Sequence, residues 1–250
     1  MVICYDILVS VKKDLLVFHP ESDYSDNLRK AFSFTKRLGF NEEWNGVTKN
    51  KEYDYQDVFS HVCLQSGVTD FSASAGQCLK WSHYFQPYFE NILECRVWVT
   101  VGQLWKQERF IYNPSVADFQ RWSEKGIQPE DFRHHSGFNF HAWLTTENGV
   151  IVDVSFMSTL SRRLPEHLSE VSGSVIIGPP EMVLPEHKYV PMIVGQRIVE
   201  KIENALSLIF WRTTILIYIQ YLQSRFRYGK NVKARNNTMH LPLSGTQLVT

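Results

Sequence analysis

The stretch Phe138 to Phe156 constrains the fold most tightly. Two strand-like runs, Phe138–Thr146 and Val150–Phe156, flank Asn148-Gly149, and that arrangement reads as a β-hairpin. Register then decides which side chains share a face. A two-residue Asn-Gly turn places His141 opposite Phe156 and Asp153 opposite Leu144, with the two polar side chains on opposite faces. A three-residue loop, Glu147-Asn148-Gly149 with the glycine in the left-handed region, pairs His141 with Ser155 and Trp143 with Asp153. His141 and Asp153 then lie diagonally on one face, roughly 7–8 Å apart at Cβ. If the two work together, the loop must have odd length.

A second locus gives that pair a use. Gly76-Gln77-Cys78 opens a run that reads as a helix from Leu79 to about Leu93. At the first turn of a helix, unpaired backbone N–H groups and the helix dipole favour negative charge, which suits a thiolate. A histidine can take the thiol proton, and a carboxylate can fix the imidazole's orientation and tautomer. Cys78, His141 and Asp153 are therefore the candidate nucleophile, base and orienting residue for acyl transfer. Each also has a structural explanation: a small buried thiol, a satisfied strand histidine, a hairpin hydrogen bonder. The Cys78 backbone N–H, with a second donor, would hold the oxyanion. Gln77 is the nearest side-chain candidate, and the indoles of Trp81, Trp98 and Trp143 are others.

These residues carry a resemblance. Gly76-Gln77-Cys78 at a helix start, His141-Ala142-Trp143 on a strand and Asp153 on the next resemble the transglutaminase-like branch of the papain-like thiol enzymes. The likeness covers roughly residues 70 to 157. It implies an α+β fold, with the cysteine at a helix N-terminus packed on an antiparallel sheet that carries the histidine and the aspartate. It also implies a cysteine hydrolase or acyltransferase that acts on a peptide bond or glutamine side chain through a thioester, with a protein or peptide substrate and no cofactor. Transglutaminases carry Trp directly after the cysteine. Leu79 stands there in this chain, which argues against transamidation with a lysine donor and leaves acyl chemistry standing. The rival readings are a catalytically inactive binding module of the same fold and a small-molecule N-acyltransferase.

Charge excludes other classes. The chain's 26 basic and 26 acidic residues cancel, which gives no footing for broad nucleic-acid binding. Cys4, Cys63, Cys78 and Cys95 have no CxxC spacing, so a structural zinc site is not expected. Asp131, His134, His135 and His141 lie close in sequence but match no dependable metal motif, and the reading is of no metal. His83, five residues past Cys78, is a weak rival for the base. Free thiols without a secretory signal suit a cytoplasmic protein.

Along the rest of the chain, β-like patches at Val2–Val11 and Leu15–Phe18 precede an amphipathic helix from Asp23 or Ser25 to Gly39. A loop over 41–57 and a short helix over Gln56–Gln65 follow. Cys95–Leu104 alternates as a strand, Arg109–Tyr112 reads as a second, and Ser115 and Asp118 form a capping box for a helix closed by Gly126. Pro129–Gly137 is read as a loop, residues 157–190 as loop-rich cover over one edge, and Val190–Asn204 as a helix. Ala205–Leu222 is apolar but interrupted by Arg212, Thr213, Thr214 and Gln220, and is read as a buried element rather than a membrane span. The expected division is 1–65, an N-terminal part of the fold; 66–157, the catalytic core; 158–226, cover and apolar segment; 227–250, a basic tail better suited to solvent than to an anionic membrane.

Overall fold

A computed structural model describes residues 16–46, 53–132, 138–203 and 248–249. Helices α1 (Tyr24–Arg37), α2 (Tyr55–Ser66) and α3 (Cys78–Leu93) come first. They are followed by β1 (Val97–Lys106), β2 (Arg109–Tyr112), α4 (Val116–Lys125), β3 (His141–Thr146) and β4 (Ile151–Asp153). Then come α5 (Phe156–Arg163), α6 (Pro165–Leu168), β5 (Val175–Gly178), β6 (His187–Val194), α7 (Gln196–Glu203) and the short β7 (Leu248–Val249). The chain is α+β. Helices pack on a sheet that is antiparallel apart from the β5–β7 pair.

β1 organises the sheet. Along one edge it pairs with β6; along the other, β3 covers Val97–Gly102 and β2 covers Leu104–Lys106. β2 and β3 therefore meet end to end against one strand. Gly102 lies opposite His141 and Leu104 opposite Tyr112, so the end of β2 and the start of β3 present neighbouring side chains on one face. β4 and β5 continue outward from β3.

Local signals explain most of these elements. Asp54 caps α2 through its side chain and Gly67 closes it; Ser115 and Asp118 form a full capping box on α4, closed by Gly126. β3 and β4 alternate. Ala142, Leu144 and Val152 join the larger apolar cluster, with α1, α2 and α3, while Trp143 and Ile151 join a smaller one with Phe156, Ile176 and Tyr189. His141 and Asp153 have the parity of Trp143 and Ile151, and so lie on the smaller cluster's side.

Two readings are corrected. Residues 157–190 are not simply loop-rich cover, because β5 and β6 complete the sheet begun by β1–β4. The helix expected from Val190 starts only at Gln196, and the residues before it extend β6. Pro191 obscures that strand in the sequence, since proline cannot donate to a ladder. It pairs with Gly102 where the β1–β6 register shifts. Pro129–Phe132 is a 3-10 turn rather than loop. The patch at Val2–Val11, the Ala205–Leu222 segment, the tail from 227 to 247, His134 and His135 lie outside the described residues. Among the described residues no helix is long and apolar enough to cross a membrane.

Candidate active site

The hairpin has the register that brings His141 and Asp153 to one face. Leu144 pairs with Val152 and Thr145 with Ile151, which extrapolates to Trp143 opposite Asp153. The turn is closed by Thr146 N–H donating to the Val150 carbonyl at 2.9 Å, which leaves Glu147, Asn148 and Gly149 as the loop. Gly149 has φ +79°, the left-handed conformation that such a loop requires. The odd-length expectation holds.

His141 Nε2 lies 2.5 Å from Asp153 Oδ2, and both side chains are buried. Asp153 is held from three further directions. The Ser155 and Phe156 backbone N–H groups each donate to Oδ1 at 3.0 Å, and the Tyr189 hydroxyl donates to Oδ2 at 2.9 Å. The carboxylate thus sits at the amino end of α5, where the helix dipole adds to these donors. Burial alone would raise its pKa; the His141 charge and hydrogen bond, with the Ser155 and Tyr189 donors, overcome that and lower it. Burial alone would likewise lower the His141 pKa. The charge and hydrogen bond of Asp153, with the Cys78 thiol close by, lift it to about 10 instead. With Nε2 engaged by Asp153, Nδ1 is the nitrogen left for Cys78.

Cys78 is the first residue of α3 and is 9% exposed. The turn that delivers it has Gly76 at φ +74°, so a side chain there would be strained. Three bonds tie this turn to α5 and its surroundings. Gly76 N–H donates to Thr159 Oγ1 at 2.9 Å, Arg162 donates to the Ala75 carbonyl at 3.1 Å, and Ser158 Oγ donates to the Phe71 carbonyl at 3.0 Å. α5 therefore clasps both halves of the site, since its first residues also bind Asp153. The leading N–H groups of α3 have no partner within the helix, which suits the Cys78 amide to an oxyanion.

The remaining sequence candidates separate. Gln77 Nε2 is turned back to the Ala73 carbonyl at 3.1 Å, so one of its two hydrogens is engaged. Trp81 is buried in an aromatic group with Phe71 and Phe85. Trp143 is fully buried, and its one N–H donates to the Tyr24 hydroxyl at 2.9 Å; an indole has no second donor for an oxyanion. Trp98 packs edge-on against Phe32 in the core. His83 lies 3.7 Å from Glu200 and, five residues along α3, about 140° round the helix from Cys78. Among the described residues no group of three or more potential ligands could hold a metal.

Residues that the sequence did not single out complete the site. Tyr112 lies flat on the His141 imidazole, ring centroids 5.4 Å apart and planes within 13°. Burial, with the Cys78 and Asp153 charges, pushes the Tyr112 hydroxyl up to about 12, against the opposing pull of Arg163. Phe156 closes the opposite quarter edge-on at 5.6 Å. Tyr189 was hidden in a stretch read as loop. Behind the dyad, a cleft of about 680 Å³ opens beside Tyr24 and Tyr189. Comparison of the chain with protein-family models, curated proteins and solved structures returns no match.

Proposed function

We propose that this chain is a transglutaminase-like cysteine hydrolase or acyltransferase, acting on the amide of a peptide bond or glutamine side chain. Cys78 is the nucleophile, His141 the proton carrier and Asp153 the orienting carboxylate. The observation that carries the reading is one buried imidazole between a multiply hydrogen-bonded carboxylate and a helix-terminal thiol. The papain-like arrangement, a helix-borne cysteine against an antiparallel sheet bearing the other two residues, belongs to the same proposal.

The chemistry follows from the positions. Asp153 keeps a proton on Nε2 and stabilises the imidazolium, so proton exchange with the thiol runs through Nδ1. Sγ attacks the carbonyl carbon, and the oxyanion meets the free amides at the start of α3. The imidazolium protonates the leaving amine, the C–N bond breaks, and the acyl group remains on Cys78 as a thioester. Water or an amine, deprotonated by His141, then releases it.

The test is the rate of Cys78 alkylation by iodoacetamide across pH 5 to 9, in the parent chain and in His141→Ala. The parent is expected to react faster than the variant at the acid end of that range, and His141→Ala to lose that advantage. Slow reaction, indifferent to His141, would end the enzyme reading. A catalytically silent interaction module, which the burial of Cys78 and His141 favours, would then replace it.

A further inference from the structure

We infer that Arg163 is a specificity-determining residue that selects acyl donors bearing a carboxylate beside the reacting amide. The inference rests on the thiol-site reading above and names the class of substrate for that site.

The geometry begins at the covered imidazole. His141 is 1% exposed and Cys78 9%, and the half-buried ring of Tyr112 lies flat over the imidazole. The Arg163 guanidinium stands over the same Tyr112 ring, 5.8 Å from its centroid. One aromatic ring therefore touches both a fixed positive charge and the His141 imidazole. Arg163 is exposed, and among the described residues no carboxylate pairs with it.

Its position is set by the site itself. Arg163 is the last residue of α5, whose first residues bind Asp153 and whose Thr159 and Arg162 hold the turn before Cys78. Arg162, next to it, is committed to the Ala75 carbonyl. The two arginines divide the work: one fastens the nucleophile's turn, the other is exposed beside the Tyr112 ring. Stacking on an aromatic face leaves a guanidinium's in-plane N–H groups free, and a carboxylate fits that fork with two parallel hydrogen bonds. An incoming anion would draw Arg163 to itself and release the ring that covers His141. The carboxylate can come from an acidic side chain or from a chain terminus.

The probe is a pair of reagents with one leaving group and opposite charge character, iodoacetate and iodoacetamide; in both, the Cys78 thiolate displaces iodide. The iodoacetate-to-iodoacetamide rate ratio is expected to fall about fivefold in Arg163→Gln, the effect of one unit charge acting over a few ångströms at an aqueous surface. It should fall further in Arg163→Glu, and the difference should shrink as salt is added. In a second arm, acetyl-Glu-Gly-amide, acetyl-Gly-Gly and acetyl-Gln-Gly-amide compete with iodoacetamide. An acidic compound should protect better than the neutral one, and lose that advantage in Arg163→Gln. Protection by the first assigns a side-chain carboxylate, and protection by the second a terminal one. An unchanged reagent ratio in Arg163→Gln, or equal protection by the neutral peptide, would overturn the assignment while leaving the thiol site intact. Iodoacetamide reactivity that ignores His141→Ala would sink the thiol site, and this assignment with it.

Discussion

The two faces of the sheet do different things. On one, α2 and α3 press Val58, Phe85, Phe89, Val99, Leu144 and Val152 into a dry apolar mass. On the other, strand side chains and Tyr24 of α1 form two hydrogen-bonded groups. Tyr189 binds Asp153 and Asp153 binds His141, while Trp143 binds Tyr24, Tyr24 bonds Thr145 and Thr145 bonds Thr100. Alternation along β3 and β4 assigns each residue to one side or the other. Dry packing stabilises at any pH, whereas a buried ion pair stabilises only while both partners are charged.

This contrast is open to measurement. Phe85, fully buried at the centre of an aromatic group on α3, gives the largest expected loss. Phe85→Ala should lower unfolding free energy by about 3–5 kcal/mol, and urea titrations should find the same gap at pH 5, 7 and 9. A gap that varied with pH would erase the distinction between the faces.

His141→Gln breaks the pair and leaves a buried carboxylate alone, a loss of roughly 3–5 kcal/mol where both groups are charged. Its gap should depend on pH. The His141 pKa is raised from 6.5 to about 10, so its contribution is complete below 6.5 and fades as pH climbs through about 10. The Asp153 pKa is lowered from 3.8, so its contribution is present above that value and is lost as pH falls through the lower folded value. Urea midpoints should therefore separate the two chains most between about pH 4 and 6.5. A flat gap would mean that the dyad is not ionised.

Tyr189→Phe should have the smallest effect. It removes one donor from Asp153 Oδ2 and leaves the His141, Ser155 and Phe156 bonds in place, at about 1–2 kcal/mol. It should also raise the acid pH at which the chain unfolds, as measured by circular dichroism. No shift there would show that Tyr189 packs without supporting the carboxylate's charge.

What could be read from the sequence was local. The α4 capping box, the Cys78 helix and the conditional argument on loop length all depend on residues a few positions apart, where spacing maps onto geometry. The β5 and β6 strands were missed because short apolar runs among Pro179, Pro180, Pro185 and Pro191 look like punctuation, and the sheet context that overrides it comes from β1 and β4. Trp143 was a plausible oxyanion donor only while Tyr24, 119 positions earlier, was unknown as its partner. Tyr112 needed the end-to-end meeting of β2 and β3 on β1 before it could lie on His141. No periodicity reports that.

Insertions and deletions of one residue are the changes that surface loops between strands absorb most readily over evolutionary time. The Glu147-Asn148-Gly149 loop is an exception in a particular sense. Removing one residue would leave a good hairpin, with Asn-Gly turns among the most favoured there are, but the one-residue slip would turn Val152 out of the apolar mass along with it. Asp153 would then face away from His141. A single deletion there would thus part the His141–Asp153 pair and disturb the packing of β4 at once, so the length of this surface loop is as much a condition of the buried pair as the two side chains themselves.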